Sequence, residues 1–289
     1  MSKYLKVIIV SVIAIAVLLG LNLYDGGIKN LKAGLLTIAF LDVGQGDSIL
    51  IRTPQEKNIL IDGGPDNSVV FELDKIVPSY DREIDAMILT HPHADHVDGL
   101  VDVLKDYKVD EIYYTGVSHT APDYIEWLKE VREKNIPINI VKKALTLNLE
   151  PDLNLEFLYP FDHDFTNEVI DDLNNSSIVN KLIYKNTKFL FTGDAAEAEE
   201  SEILQSGQDI SADVLKVGHH GSKTSTSDAF LKAINPVYAI ISVGLGNSFG
   251  HPHYRTLSKL NDLGAKVLRT DEKGTIIMQS DGEKITVIN

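Results

Sequence analysis

The sequence predicts an α/β (α+β) sandwich, two mixed sheets packed face to face with helices on the outside. Three observations predict it. Short β runs come alone at first and then alternate with amphipathic helices. From Leu35 onward no low-complexity stretch and no Pro-rich linker marks a cut into two domains. Seven of the nine histidines fall just beyond a predicted strand end, where a layered fold aims several side chains at one point.

The early strands are read at 35–41, 48–52 and 58–61, with turns at Gly44, Gly46 and Gly63-Gly64. Further strands are read at 86–90, 111–114, 155–159, 178–184, 188–191 and 213–217. The last four are read at 239–243, 266–269, 275–278 and 285–288. Helices are expected near 70–77, 97–106, 122–134, 195–205, 226–234 and 255–263. The helix at 122–134 shows the i, i+3/i+4 apolar rhythm through Tyr124, Ile125, Trp127, Leu128 and Val131. One domain is taken as residues 33–289.

Residues 1–32 differ. Val7 to Leu23 is an apolar run of 17 residues, roughly 25 Å long as a helix. With help from its ends it just crosses a ~30 Å hydrocarbon core. It is expected to be a transmembrane helix, an uncleaved membrane anchor followed by a short linker. A cleaved signal peptide is the alternative. Lys3 and Lys6 precede it, which puts the N-terminus inside and the domain outside the cell membrane. Lys29 and Lys32 oppose that orientation. The expectation is a single-pass membrane protein with an extracytoplasmic domain, or a secreted one if the N-terminus is cleaved.

Composition narrows the chemistry. The chain has no cysteine, so it has no disulfide and no thiolate ligand. Any transition metal must be held by imidazole and carboxylate, which suits zinc, manganese or iron. The net charge of −15 repels phosphate backbones at long range.

The densest motif is His91-Pro92-His93-Ala94-Asp95-His96, in which four of six side chains are metal-binding types. It lies between the apolar run at 86–89 and a helical pattern from Val97. His91 and His93 are i, i+2 on an extended segment and project the same way. Asp95 and His96 lie on the following turn and face a second ion if the backbone bends there. Asp194 closes the strand at 188–191 through Thr192-Gly193. One carboxylate has two oxygens and can bridge two cations. Its other reading is an N-cap for the helix at 195–205. Gly218-His219-His220-Gly221 repeats the arrangement of apolar strand, glycine turn and imidazoles, with a plain polar turn as the alternative. His251-Pro252-His253 ends a glycine-rich loop and either joins the site or shapes the loop. His119 and His163 read as surface residues. Asp42-Val43-Gly44-Gln45-Gly46-Asp47 is either a hairpin turn or a support for the metal site. It lacks the Gly-Lys-Ser/Thr of a phosphate loop, so no nucleotide cofactor is expected.

Together these segments resemble the metallo-β-lactamase superfamily. The finer pattern resembles the C-terminal domain of the competence protein ComEC. It rests on Phe40 to Ser48, Thr90 to His96, Asn174-Asn175-Ser176-Ser177 and Val214 to Ser222. Similar segments occur in surface phosphorylcholine esterases. The resemblance implies an αβ/βα four-layer fold with two divalent ions, zinc or manganese, at the top edge of both sheets. It implies His91 and His93 on one ion, Asp95, His96 and one of His219 and His220 on the other, and Asp194 between them. A further histidine usual in the superfamily is replaced here by the Asn174–Ser177 segment.

The expected activity is metal-dependent hydrolysis by a dinuclear site that activates water, on a phosphodiester such as single-stranded DNA. In that reading Asp95 orients the nucleophile. His220, or its neighbour His219, and His251 contact the phosphate oxygens or protonate the leaving group. Two rival readings stand beside it. One is hydrolysis of small esters, lactones, β-lactams or phosphocholine wall substituents. The other is a binding module with a degenerate site.

Overall fold

The computed structural model describes residues 31–289, and its first strand starts at Leu36. The apolar segment at 7–23 lies outside the described residues. Among the described residues no helix is long and apolar enough to cross a membrane.

The chain begins with strands β1 (Leu36–Phe40), β2 (Ile49–Arg52) and β3 (Asn58–Ile61). Helix α1 (Ser68–Leu73), strands β4 (Glu83–Ile84) and β5 (Ala86–Ile88) and helix α2 (Ala94–Asp106) follow. Then come β6 (Lys108–Val109), β7 (Ile112–Tyr114), α3 (Pro122–Glu133) and β8 (Ile138–Ile140). A meander of β9 (Lys143–Glu150), β10 (Leu153–Asp162), β11 (Val179–Tyr184) and β12 (Thr187–Phe191) starts the second half. It continues through α4 (Glu197–Ser206), β13 (Val214–Lys216), α5 (Asp228–Ile234) and β14 (Tyr238–Ile241). The chain closes with α6 (Tyr254–Leu263), β15 (Lys266–Arg269), α7 (Thr270–Lys273), β16 (Ile276–Ser280) and β17 (Ile285–Val287).

Two sheets carry the architecture. The first runs β17-β16-β1-β2-β3-β5-β7-β8 and the second β15-β14-β13-β12-β11-β10-β9. Each is antiparallel on one side and parallel on the other. Strands β3, β5, β7 and β8 are parallel in the first sheet, and β12 to β15 in the second. Side-chain alternation explains the layers. Along β1, Ile38 and Phe40 face the space between the sheets, while Ala39 and Leu41 face the outer helices. Phe40 meets Phe191 of the opposite sheet with ring centroids 6.2 Å apart. Trp127 of α3 and Leu100 and Leu104 of α2 cover the first sheet. Ile203 of α4, Phe230 of α5 and Leu260 of α6 cover the second. Both faces of each sheet are buried, which is why the strands read as continuous apolar runs. The predicted αβ/βα sandwich is therefore the observed fold.

Three departures have physical reasons. Strand β9 was not anticipated; it is an outer strand of the second sheet, and Leu145, Leu147 and Leu149 are only partly buried. Strand β8 ends the first sheet in the same way, and β4 and β6 are two residues each. Helix α4 starts at Glu197 with Ala196 at its N-cap. Asp194 therefore does not cap it, and its carboxylate is free for another role.

Parallel strands in one sheet end at one rim, the usual place for a site in such sheets. Asp62 follows β3, His91 follows β5, Asp194 follows β12, and His219 and His220 follow β13. The two rims meet there.

Candidate metal centre

The first sheet supplies His91, His93, Asp95 and His96 through one strand-to-helix passage. His93 is the N-cap of α2, with extended φ/ψ of −74° and 150°. The chain is thus extended up to His93 and helical from Ala94, the bend that adjacent Asp95 and His96 require. His91 Nε2 and His93 Nδ1 lie 3.0 Å apart. Asp62 anchors this half. Its carboxylate accepts the Thr90 backbone N–H at 2.8 Å and the Thr90 hydroxyl at 2.7 Å. It also accepts His96 Nδ1–H at 2.8 Å. A histidine held through Nδ1 presents Nε2 as its lone pair. Thr90 Oγ1 in turn lies 3.1 Å from His91 Nδ1.

The second sheet supplies Asp194, His219 and His220. Four imidazole nitrogens converge on one oxygen, Asp194 Oδ2. His96 Nε2 lies 3.4 Å from it, His220 Nε2 3.5 Å, His219 Nε2 3.7 Å and His91 Nε2 4.0 Å. The other oxygen, Oδ1, faces Lys216 Nζ at 3.7 Å. Lys216 is fully buried, pairs with Asp47 and donates to the Gly193 carbonyl at 2.9 Å. His220 donates Nδ1–H to the Ser242 carbonyl at 2.9 Å, and its Nε2 lies 3.3 Å from Asp95. His219 and His220 both adopt left-handed backbone, with φ of 47° and 52°. Such angles in non-glycine residues cost of order 1–3 kcal/mol and concentrate at functional sites. The flanking Gly218 and Gly221 let the turn form.

Two glycines let backbone segments meet at this rim. A side chain on Gly46 would collide with the Asp95 carbonyl, and one on Gly99 would collide with the Gly63 carbonyl. Asp47 N–H donates to the Asp95 carbonyl at 3.2 Å, and Gln45 accepts the Gly244 N–H at 3.2 Å. The Asp42–Asp47 segment is thus a support for the site from behind.

Charge in the cleft is unevenly placed. Burial pushes His91 well below the usual imidazole range and also lowers His93. Burial, with His219 and His220 nearby, pushes His251 down to about 4. Burial also opposes charge on His96 and His220, but the carboxylates win. Asp194 and Asp62 hold His96 well above its ordinary value. Asp194 and Asp47 raise His220 to about 10. Asp194 itself stays ionised against burial, because His220 and His96 stabilise the carboxylate. In charge terms, the protons on His96 and His220 do what a cation would do.

The residues fit a pair of divalent ions. His96 Nε2 and His220 Nε2 are buried and have no hydrogen-bond partner, although buried polar atoms are nearly always satisfied. Among the described residues four donor sets lie within 4.8 Å among their own atoms: His91, His96 and Asp194; Asp95, His96 and His220; Asp47, Asp194 and His220; and Asp47, Asp62 and His96. The donors are imidazole and carboxylate, the set that suits zinc or manganese.

The structure thus brings together His91, His93, Asp95, His96, Asp194, His219 and His220. His251 borders them, its ring 5.6 Å from His219 and 6.5 Å from His220. His253 does not join them; its Nδ1 accepts the Arg255 N–H at 3.3 Å and caps α6. His163 is exposed and pairs with Glu168 at 3.2 Å, so it does not replace the missing histidine. The Asn174–Ser177 turn supports Asp194 instead, since Ser177 Oγ accepts the Asp194 N–H at 3.2 Å. The motif reading passed over Asp62. Its signal was available: Asp62 closes an apolar strand before Gly63-Gly64, much as Asp194 closes β12 after Gly193. Lys216 was also passed over, a lone charge inside an apolar strand.

Fold and site together define a metallo-hydrolase scaffold. Residues 41–244 match the family model of the metallo-beta-lactamase superfamily, and the chain belongs to that superfamily. Within it the chain is ComEC-like. It is 34% identical over 256 residues to ComE operon protein 3 of Bacillus subtilis (strain 168), covering 83% of this chain and 32% of that protein. It is 31% identical over 245 residues to Competence protein ComA of Neisseria gonorrhoeae, covering 81% and 31%. The chain thus spans about a third of the length of the curated relatives it matches. Among solved structures, a metallo hydrolase from the archaeon Ignicoccus hospitalis shares the fold. Its TM-score is 0.52 at 14% identity, covering 83% of this chain and 98% of that one.

Proposed function

We propose that this chain is a metal-dependent phosphodiesterase that cleaves single-stranded DNA with two divalent ions. The observation that carries the dinuclear reading is the convergence of four imidazole nitrogens on Asp194 Oδ2 within 4.0 Å. His91 and His93 would hold one ion, Asp95, His96 and His220 the other, with Asp194 Oδ2 between them. Bound there, the ions supply Lewis acidity, activating a water and stabilising the attacking and leaving oxygens.

The chain's own groups do the rest. Lys216 holds Asp194 Oδ1 and so turns Oδ2 toward the imidazoles. Asp62 and the Ser242 carbonyl fix the rings of His96 and His220. Asp95, about a third exposed at 31%, faces the cleft and orients the attacking water through a hydrogen bond. His251 is neutral at pH 7 and donates a hydrogen bond to a phosphoryl oxygen rather than transferring a proton. The names of the relatives, a competence protein in one case and Recombination protein 2 in another, support DNA as the substrate. Residues 7–23 are proposed to anchor the chain in the cell membrane with the domain outside. Carbonate extraction with protease protection tests that.

The test is hydrolysis of a single-stranded oligonucleotide with added zinc or manganese. The Asp95→Ala/His96→Ala double variant is the control. Cleavage that requires metal and is lost in the double variant is expected. Cleavage without metal, or none at all, would overturn the proposal. The net charge of −15 favours one rival, a small neutral ester or lactone. Preference for such esters in a substrate panel would establish it instead.

A further inference from the structure

The loop between β14 and α6 carries His251 and exposed apolar groups. Leu245 is 85% exposed and Phe249 67%. Phe249 is not exposed through looseness of the loop. Asn247 clamps it with every polar atom of its amide. Its oxygen accepts the Phe249 N–H at 3.2 Å and the His251 N–H at 3.1 Å. Its NH₂ donates to the carbonyls of Gly244 at 3.0 Å and His251 at 2.6 Å. The Phe249 ring lies nearly parallel to the His251 ring, with centroids 6.0 Å apart and planes at 27°. One face of an aromatic ring is thus held open beside the metal centre, where a purely structural phenylalanine would be buried.

The neighbouring surface lacks the acidic excess of the chain as a whole. A groove between α5 and α6 is lined by Lys232, Tyr254, Arg255 and Lys259, together with Asp228 and Asp262. Lys259 also pairs with Glu197 at 4.0 Å, so three cations meet three carboxylates and the groove is close to neutral on a chain of net charge −15. The groove is tied to the metal centre by backbone. His253 N–H donates to the Gly221 carbonyl at 2.9 Å. Thr256 Oγ1 donates to the Ser222 carbonyl at 2.8 Å.

We infer that Phe249 is a stacking platform for an unpaired base next to the scissile phosphodiester, with the strand's phosphates continuing along the Lys232–Arg255–Lys259 groove. This inference rests on the phosphodiester reading of the site. The occupant is a single strand, because a base in a duplex is already stacked on both faces and cannot cover the ring. Stacking is tolerant of sequence, since every base has a π-face. The platform therefore sets strandedness and cleavage position, not base identity.

The test uses the full chain, a single-stranded DNA oligonucleotide, and the same oligonucleotide with abasic residues flanking the cleaved linkage. Phe249→Ala is expected to raise KM on the base-containing strand by about tenfold. It should leave KM on the abasic strand unchanged and spare kcat on both. Phe249→Trp should keep the wild-type KM. Equal losses on both strands, or no change on the base-containing strand, would overturn the platform while leaving the phosphodiesterase intact. If the wild-type chain cleaves neither strand with metal present, the phosphodiester reading fails and the platform with it.

Discussion

The two lobes of the proposed metal centre are built to different standards. In the Asp95 lobe, His96 and His220 are each held through Nδ1 by a group outside the site, Asp62 and the Ser242 carbonyl. Asp95 adds a carboxylate 3.3 Å from His220 Nε2. In the His91 lobe there are two imidazoles and no carboxylate of its own. His91 is supported only at one remove, through Thr90 to Asp62. A third imidazole is replaced by the Asn174–Ser177 turn, which supports the Asp194 backbone. The lobes share Asp194. The difference teaches that ligand type alone does not make equal sites. The groups behind the ligands, and the charge they add, set how tightly each lobe binds.

The comparison breaks most sharply at the shared ligand. Asp194→Ala should abolish the distinction by removing both ions. Losing several kcal/mol of charge stabilisation corresponds to a drop of about a thousandfold in kcat. Steady-state hydrolysis with elemental analysis checks it. A variant that keeps two equivalents of metal would contradict the shared role.

Asp62→Ala acts on the support and not the ligands. It frees His96 directly and His91 through Thr90. A weakening of about 10- to 100-fold in metal affinity is expected, larger in the Asp95 lobe. Competition with a chelator of known affinity measures it. Equal losses in the two lobes would remove the asymmetry. His93→Ala should weaken only the His91 lobe, and added metal should restore much of the rate.

A further contrast separates metal-free from loaded protein. His220 is raised from 6.5 to about 10 by Asp194 and Asp47 against its burial. A raised folded-state pKa gives stability that is complete below pH 6.5 and is lost as pH climbs towards 10. Chelator-stripped protein should therefore lose melting temperature between about pH 6.5 and 10. Metal-loaded protein should not, since a neutral ring is what the ion requires. Parallel melting curves across that range would show whether the two diverge.

What was legible in the sequence was local. His91 to His96 could be read because strand, turn and helix follow one another within a few residues. The β14–α6 loop and the turn at His219-His220 could be read for the same reason. Roles that depend on strands far apart in sequence were hidden. Asp62 acts on Thr90 and His96 across β3 and β5. Lys216 acts on Asp47 and Asp194 across both sheets. Local backbone geometry decided others: Asp194 is a favoured helix-cap type, yet α4 starts at Glu197 with Ala196 as its cap, and His253 is a ligand type, yet it caps α6. Strand β9 did carry a signal, since Leu145, Leu147 and Leu149 alternate strictly with Thr146, Asn148 and Glu150, but at the sheet edge those leucines are only partly covered.

The central claim is two ions held with unequal strength around Asp194. Calorimetric titration of the metal-free chain with zinc, repeated on His93→Ala, tests it most directly. The account predicts two binding events of different affinity in the wild-type chain and loss of the weaker one in the variant. A single event in the wild type, or loss of the tighter event in His93→Ala, would contradict it.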